Sequence, residues 1–225
     1  MVKVESAGDL FTLPALPGFL EKKVNLEKEI AVIVARNERG EISTFPLVEQ
    51  VFHPVANLVE YLQSPAHVSQ SIEKECVELA KSIAEKLNVV GLLAVELFID
   101  KAGQVLVNEM APRPHNSGHH TIEACNTSQF QQFWRAILNL PLGDTSLRHP
   151  FAAMVNLIGD ANYTGSPVYQ GFEECLKLSG VYIHLYGKAQ TRPFRKMGHA
   201  TVVASTLVEL QQKVSFVKNH LKVIA

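Results

Sequence analysis

Hydrophobic positions change period several times along this chain. Residues 19–24 and 29–36 (EIAVIVAR) are apolar-dominated runs of strand length. The second leads through the polar stretch Asn37-Glu38-Arg39-Gly40 into residues 41–48 (EISTFPLV), which predicts a hairpin. Pro14 and Pro17 make residues 11–18 a loop. From residue 71 to 87 the period is helical, with Ile72, Cys76, Leu79, Ala80, Ile83, Ala84 and Leu87 at three- and four-residue spacing. Asn88-Val89-Val90-Gly91 ends that helix. Two strands follow, 92–99 (LLAVELFI) and 104–110 (QVLVNEM), around Asp100-Lys101-Ala102-Gly103. Residues 111–120 (APRPHNSGHH) form a loop. A helix over about 121–140 places Phe130, Phe133, Trp134, Ile137 and Leu138 at its apolar positions. Three further strands are predicted at 152–158, 181–186 and 200–204, then a helix from Thr206 to near Leu221 with Thr206 and Glu209 as a capping box. Strands and helices alternating with hairpins predict an α+β or mixed α/β architecture.

Composition narrows the class. The 225 residues are 47% hydrophobic and 19% charged, enough apolar material for a core and too little charge for a disordered chain. Lys+Arg (21) and Asp+Glu (22) nearly cancel, so net charge gives no reason to expect nucleic acid or an anionic membrane as partner. No uninterrupted apolar run approaches the ~18 residues of a membrane span, and MVKVESAGDL lacks the basic and apolar regions of a signal peptide. Cys76, Cys125 and Cys175 are widely spaced, without a CxxC pair, and read as buried thiols of a reduced cytoplasmic protein.

Candidate chemistry begins with Glu96 and Glu109. A hairpin turning on Ala102-Gly103 pairs 101 with 104, 100 with 105, and so on to 96 with 109, which sets the two carboxylates face to face. Like charges directly opposite destabilise a sheet, and burial shifts their protonation. The flanking apolar residues set both apart from routine solvated surface. A hard divalent cation held by two carboxylates and phosphate oxygens would neutralise them. The alternatives are glutamates facing water or paired with Arg or Lys, since a one-residue change in the loop breaks the register.

Arg113, His115, Asn116, Ser117, His119 and His120 fall within eight residues of a loop that directly follows the strand bearing Glu109. Donor-rich rigid loops at strand ends build anion and substrate sites. The histidines lack the helical frame or cysteine partner of a zinc site, whereas Arg113 suits an oxyanion or phosphate. Ordinary turn chemistry is the competing reading. A third feature is the basic segment 187–199 (GKAQTRPFRKMGH), which suits either a phosphate loop or a solvated hairpin.

Together, VNEMAPRPHNSGHHTIEAC, TSQF, LPLGDTSL, MVNLIGD, LYGK and RPFRKMGH resemble the N5-carboxyaminoimidazole ribonucleotide synthetases, ATP-grasp enzymes of purine biosynthesis. The resemblance runs from about Leu20 to His199. It implies ATP- and bicarbonate-dependent carboxylation of 5-aminoimidazole ribonucleotide through carboxyphosphate, with Mg²⁺ or Mn²⁺ on the ATP phosphates. Glu21, Lys22, Lys23 and Val24 match the adenine hinge, and Glu29 the glutamate on the ribose hydroxyls. Glu96 and Glu109 match the metal ligands, with Asn108 beside them at the nucleotide. Arg113 and His115 match catalytic residues near bicarbonate and carboxyphosphate, and Arg113 also matches a substrate-binding position. Lys188 and Arg195 match the grip on the ribonucleotide phosphate, with Arg192 accessory. The implied partners are these small molecules, with no nucleic acid or membrane, and a homodimer for the full-length enzyme.

Departures also bear on the reading. The family often has glycine where Phe194 stands, and many members carry an ATP-contacting histidine at the position of Phe52, here followed by His53. Nothing matches the family's N-terminal Rossmann-like domain or the glycine-rich loop of its lid. The division expected is 1–47 for the end of the ATP-grasp lid, 48–160 for the core with metal and phosphate sites, and 161–225 for a small β-rich C-terminal domain. On that reading the chain is a C-terminal portion, not competent for turnover alone. A non-catalytic assembly module and another ATP-grasp ligase are the competing readings.

Overall fold

The computed structural model describes residues 4–13, 17–52 and 59–225, so Pro14 and His53 lie outside the described residues. Eleven strands and five α-helices are described. In chain order they are β1 (Leu26–Arg36), β2 (Ile42–Thr44), β3 (Val48–Phe52), β4 (Val59–Ser64), α1 (Gln70–Lys86), β5 (Gly91–Asp100), β6 (Val105–Ala111), α2 (Thr121–Ala124) and α3 (Gln129–Ile137). There follow β7 (Phe151–Ile158), β8 (Val168–Gln170), α4 (Phe172–Leu176), β9 (Val181–Leu185), β10 (Lys196–Ala204), α5 (Leu207–His220) and β11 (Lys222–Ile224). Nine strands form one sheet in the order β6-β5-β1-β3-β4-β7-β10-β9, with β2 on β1, while β8 and β11 pair separately. The named ladders are all antiparallel, which agrees with the α+β expectation. Among the described residues no helix is long and apolar enough to cross a membrane.

Strand alternation divides the large sheet into two faces. On one, Ile30, Val32, Val34, Leu93, Val95 and Leu97 pack with Cys76, Ala80 and Ala84, the buried stripe of α1. On the same face, Val155, Leu157, Ala200 and Val202 pack with Leu210, Val214 and Val217 of α5. The registers place Glu109 opposite Glu96, Glu96 opposite Ala31, Glu29 opposite Gln50, Gln50 opposite Leu62, Leu62 opposite Met154, and Asn156 opposite His199. Each step keeps its side chains on one side, so these polar residues share the opposite face. The segment carrying α2 and α3 covers part of that face, its Cys125 packing in the cluster of Ile33, Ala35, Leu92 and Ala94.

Several sequence expectations are corrected. Residues 19–24 are coil, with Phe19 83% exposed, because Leu26 already pairs with Asp100 at the end of β5 and leaves earlier residues no ladder partner. Residues 41–48 do not form one strand: β2 completes the predicted hairpin, Phe45-Pro46-Leu47 leaves the ladder, and β3 re-enters beside the other end of β1. Pro46 has no N–H to give a ladder.

The helix at 121–140 is two helices. Cys125 is extended and bridges Leu147, and Ser128 starts α3 with a reciprocal capping box to Gln131. Nor do the apolar positions of α3 face the core together. Gln129, Gln132 and Ala136 are buried, whereas Phe130, Trp134, Ile137 and Leu138 are exposed, Trp134 by 58%. Phe133 is the one that packs inward, seated over Gly91, where a Cβ would meet its ring at 3.3 Å. The last helix keeps Thr206 as cap, accepting from Glu209 N–H, while the Glu209 carboxylate takes the N–H of Ser205 rather than that of the cap residue. All three cysteines are buried and free.

Candidate active site

Glu96 and Glu109 are directly opposite in the β5–β6 ladder. The route to that pairing differs from the uniform register expected: Ile99 pairs with Val105, Phe98 with Leu106 and Leu97 with Val107, and a bulge then takes up Asn108. The Asp100 carboxylate accepts from Ala102 and Gln104 N–H, and its backbone closes the turn with Gly103 and Gln104, so the turn is one residue longer than expected. The bulge offsets it. Bulges of this kind recur beside functional sites because they re-aim a side chain.

The two carboxylates differ in surroundings. Glu96 is largely enclosed, whereas Glu109 lies on edge strand β6 and is exposed, so the expectation that both are withdrawn from solvent holds for Glu96 alone. Burial first, then the negative charge of Glu109, raises the Glu96 pKa, against the easing effects of the Gln50 amide and Lys196. Glu29 follows: burial, then Glu96 and Glu109, push its carboxyl up to about 7. The buried Gln50 Nε2 lies near the Glu96 carboxylate and favours its charged form, without a hydrogen bond of full geometry. No group of three or more metal-ligating side chains is gathered among the described residues. The donor set is therefore two facing carboxylates with positions left for other oxygens. This suits a hard cation such as Mg²⁺, which keeps waters or phosphate oxygens in its shell.

The loop after β6 folds back over this face. Arg113 Nη1 donates to the Pro114 carbonyl at 3.1 Å, which orients its guanidinium. His115 Nδ1 accepts from Ser117 N–H, leaving Nε2 as the protonated nitrogen, 3.6 Å from Glu96 Oε1. Burial, then Arg113 and Lys196, lower the His115 pKa to about 4, so the ring beside Glu96 is neutral at pH 7. Asn116 is pinned to the sheet by Asn156, whose Oδ1 accepts from it at 2.9 Å and whose own amide donates to Val59 O.

The basic segment reaches the same region. Lys188, Arg192 and Arg195 lie close enough that the two arginines lower the Lys188 pKa, after burial. Lys188 Nζ donates to Lys196 O, and Arg195 Nη1 donates to Gln190 O at 2.8 Å. Lys196 lies within electrostatic reach of both groups: burial lowers its pKa, Glu96 opposes that, and Arg113 and Lys188 add to it. Phe194, between the arginines, holds φ of 60°, a left-handed conformation unusual for a bulky residue and the one glycine takes readily. A row of rings flanks the region. His119 stacks on His199 at 4.9 Å and His199 on His184 at 4.5 Å, while Tyr186 OH lies 3.1 Å from His199 Nδ1.

Of the sequence-predicted residues, the structure thus gathers Glu29, Glu96, Glu109, Arg113, His115, Lys188, Arg192 and Arg195. Asn108 sits at the bulge with its side chain exposed. Glu21, Lys22, Lys23 and Val24 lie in the coil before β1, and no described contact ties them to the cluster. Sequence reasoning missed Gln50, Gln129 and Asn156, and gave Lys196 and His199 no role of their own within the basic segment. Gln50, Asn156 and His199 are polar residues inside apolar strands, a signal that was available. An open depression of about 440 Å³ beside Tyr169, Phe172 and Leu185 contains none of these residues.

One face of an antiparallel sheet thus carries paired carboxylates, a donor loop and a cationic loop. The chain belongs to the ATP-grasp family, whose domain matches residues 3–130, and residues 152–213 match the phosphoribosylaminoimidazole carboxylase C-terminal domain. Among curated relatives, the N5-carboxyaminoimidazole ribonucleotide synthase of Bacillus subtilis is 44% identical over 196 residues, 87% of this chain and 49% of that protein. The chloroplastic phosphoribosylaminoimidazole carboxylase of Vigna aconitifolia is 40% identical over 88% of this chain and 35% of its own length. The chain therefore spans between about a third and a half of these relatives. The crystal structure of N5-carboxyaminoimidazole ribonucleotide synthetase from Thermotoga maritima superposes with a TM-score of 0.89 at 47% identity, covering 98% of this chain and 59% of that one. The Aspergillus clavatus N5-carboxyaminoimidazole synthase, in complex with ADP and 5-aminoimidazole ribonucleotide, gives 0.77 at 33% identity, covering 88% and 53%.

Proposed function

We propose that this chain supplies the metal, nucleotide and ribonucleotide contacts for ATP- and bicarbonate-dependent carboxylation of 5-aminoimidazole ribonucleotide, through carboxyphosphate, in purine biosynthesis. The carrying observation is the Glu96–Glu109 pair with Arg113, His115 and Lys196 on the same sheet face. A divalent cation there, Mg²⁺ or Mn²⁺, would supply positive charge to offset that of the ATP phosphates. Glu96 and Glu109 would hold it, and Asn108, beside Glu109, and the Gln50 amide, beside Glu96, would serve nucleotide oxygens. Glu29 serves the ribose hydroxyls, and the coil at Glu21, Lys22, Lys23 and Val24 serves adenine.

Arg113, exposed on the loop with its guanidinium oriented by the Pro114 carbonyl, stabilises the anion that develops on bicarbonate and carboxyphosphate. His115, neutral and protonated on Nε2, offers a donor without a competing charge. Lys188, Arg192 and Arg195 hold the ribonucleotide phosphate, for which guanidinium forks and an ammonium are suited. The 5-amino group then attacks the carboxyl carbon and phosphate leaves. The same reading divides the chain at 1–47, 48–160 and 161–225, although each main apolar cluster spans a boundary, with Ile30 and Leu93 in one and Val155 and Val202 in the other. It includes a cytoplasmic setting, in keeping with three buried free thiols, and a homodimer for the whole enzyme.

The test is ADP release by the chain, alone and mixed with the N-terminal part of the Thermotoga maritima relative. Release that requires both bicarbonate and 5-aminoimidazole ribonucleotide, with ¹³C from bicarbonate appearing in an N-carboxyamino product, supports the reading. Release driven by a different amine or acid, or none in either setting, refutes it.

A further inference from the structure

Gln129, the first residue of α3, is fully buried. Its Oε1 accepts the backbone N–H of His115 at 2.9 Å, and its Nε2 donates to the carbonyl of the same residue at 2.8 Å. One side-chain amide thus pairs both backbone groups of His115, as a neighbouring strand would. The second Nε2 hydrogen is directed at His119 Nδ1, 3.0 Å away. Reversing the amide would set donor against donor and acceptor against acceptor at His115, so its orientation is fixed by the two backbone bonds.

Surrounding groups leave that amide no other place. The backbone N–H of Gln129 donates to Thr121 Oγ1 at 2.8 Å, and that hydroxyl donates to Gly118 O. A Cβ on Gly118 would lie 2.5 Å from Gln129 Oε1 and 2.6 Å from Cδ, and would also collide with Ile33 Cδ1. The loop glycine is therefore where the backbone, the Gln129 amide and β1 meet.

We propose that Gln129 is the positioning residue of the Arg113–His115–Asn116 loop, and that its amide holds His119 with the proton on Nε2. The proposal deepens the carboxylation reading, because this loop presents Arg113 and His115 to the reacting anion. Gln129 touches no reacting atom in that scheme. It fixes the backbone at His115, between Arg113 on one side and the Asn116–Asn156 anchor on the other. It also fixes the face that His119 turns toward His199, with which it stacks. Glutamate cannot replace it, since a carboxylate only accepts and would oppose the His115 carbonyl. Asparagine is one methylene short, and leucine fills the space with neither bond.

The test uses ¹⁵N-labelled chain, wild type and the Gln129→Glu and Gln129→Leu variants, with circular dichroism and melting as controls of folding. Two-bond ¹H–¹⁵N spectra at pH 7 report the ring tautomers, and hydrogen exchange reports the His115 amide. Wild type is expected to show His119 protonated on Nε2 and a protected His115 amide. In Gln129→Glu, His119 should become protonated on Nδ1. In Gln129→Leu, the tautomer preference should be lost and His115 exchange should quicken by about tenfold or more.

If Gln129→Leu fails to fold, the Gln129→Glu spectrum decides. His119 staying on Nε2 in Gln129→Glu, or a His115 amide equally protected in a folded Gln129→Leu, overturns the proposal. Where wild type supports carboxylation, Gln129→Leu should lower kcat with KM for ATP unchanged, and an unchanged kcat also overturns it. A wild type without carboxylation refutes the functional reading, and the tautomer and exchange results still decide the role of Gln129.

Discussion

Glu96 stands opposite Glu109 in the sheet although the turn joining their strands is one residue out of step with that pairing. Asn108, taken up as a bulge, restores it. Without the bulge, the register nearest the turn would bring Asn108 opposite Glu96 and send Glu109 to the other face. Deleting Asn108 should therefore leave the glutamates facing each other, in a flatter strand. The variant is expected to keep Mg²⁺-dependent ADP binding within about tenfold of wild type, as titration calorimetry would show. Abolished binding in a folded Asn108 deletion would mean the ladder runs in uniform register.

Glu29, Glu96 and Glu109 repel one another in the absence of a cation. Because the Glu29 pKa rises to about 7 from the ordinary 4.5, the folded state holds a proton that the unfolded chain releases. Stability from this group is thus present below the ordinary value and is lost as pH rises toward 7. Glu29→Gln removes that loss. Denaturant unfolding without divalent cations should show the variant more stable on the order of 1 kcal/mol at pH 8, with the gain fading toward pH 4.5. A variant less stable than wild type at pH 8 would contradict the repulsion.

The histidines act in the opposite sense. Burial, the leading cause in each, lowers His119 and His120 to about 4 and His199 to about 3, from 6.5. The unfolded chain binds protons at these sites before the folded one does, so stability should fall as pH drops from 6.5 through this range. Melting temperature measured from pH 7 to 4 should decline, and His199→Asn should flatten the slope. A flat profile for wild type would show that these rings protonate freely in the fold.

Phe194 carries a positive φ between the arginines of the cationic loop. At ordinary positions alanine is more stable than glycine by about 0.5–1 kcal/mol. Here the order should reverse, with Phe194→Gly more stable than Phe194→Ala by about 1 kcal/mol. Comparing two side-chain truncations removes the packing of the ring from the difference. Equal or inverted melting temperatures would place the loop backbone in another conformation.

How far the site was legible varies with how local its cause is. α1 could be read closely, because its stripe of Cys76, Ala80 and Ala84 is a local period and Ser69 is an ordinary cap. Glu96 and Glu109 were correctly paired, but through a turn too short by one residue and a bulge unseen, two errors that cancelled. α3 misled because its most apolar residues, Trp134 among them, face outward while Gln129 and Gln132 go in. Buried glutamines make sense only once the loop backbone they bond is in place. The meeting of Lys196 with Glu96 depends on β10 and β5 lying in one sheet with four strands between them, which no short-range pattern records.

The facing carboxylates as a nucleotide–metal site can be tested most directly by electron paramagnetic resonance of Mn²⁺ titrated into the chain with ADP. Glu96→Gln and Glu109→Gln serve as comparisons, with circular dichroism confirming their fold. Wild type should take up Mn²⁺ in an ADP-dependent manner, and each variant should bind it at least about tenfold more weakly. Equal Mn²⁺–ADP binding by wild type and both folded variants would contradict a metal site between Glu96 and Glu109.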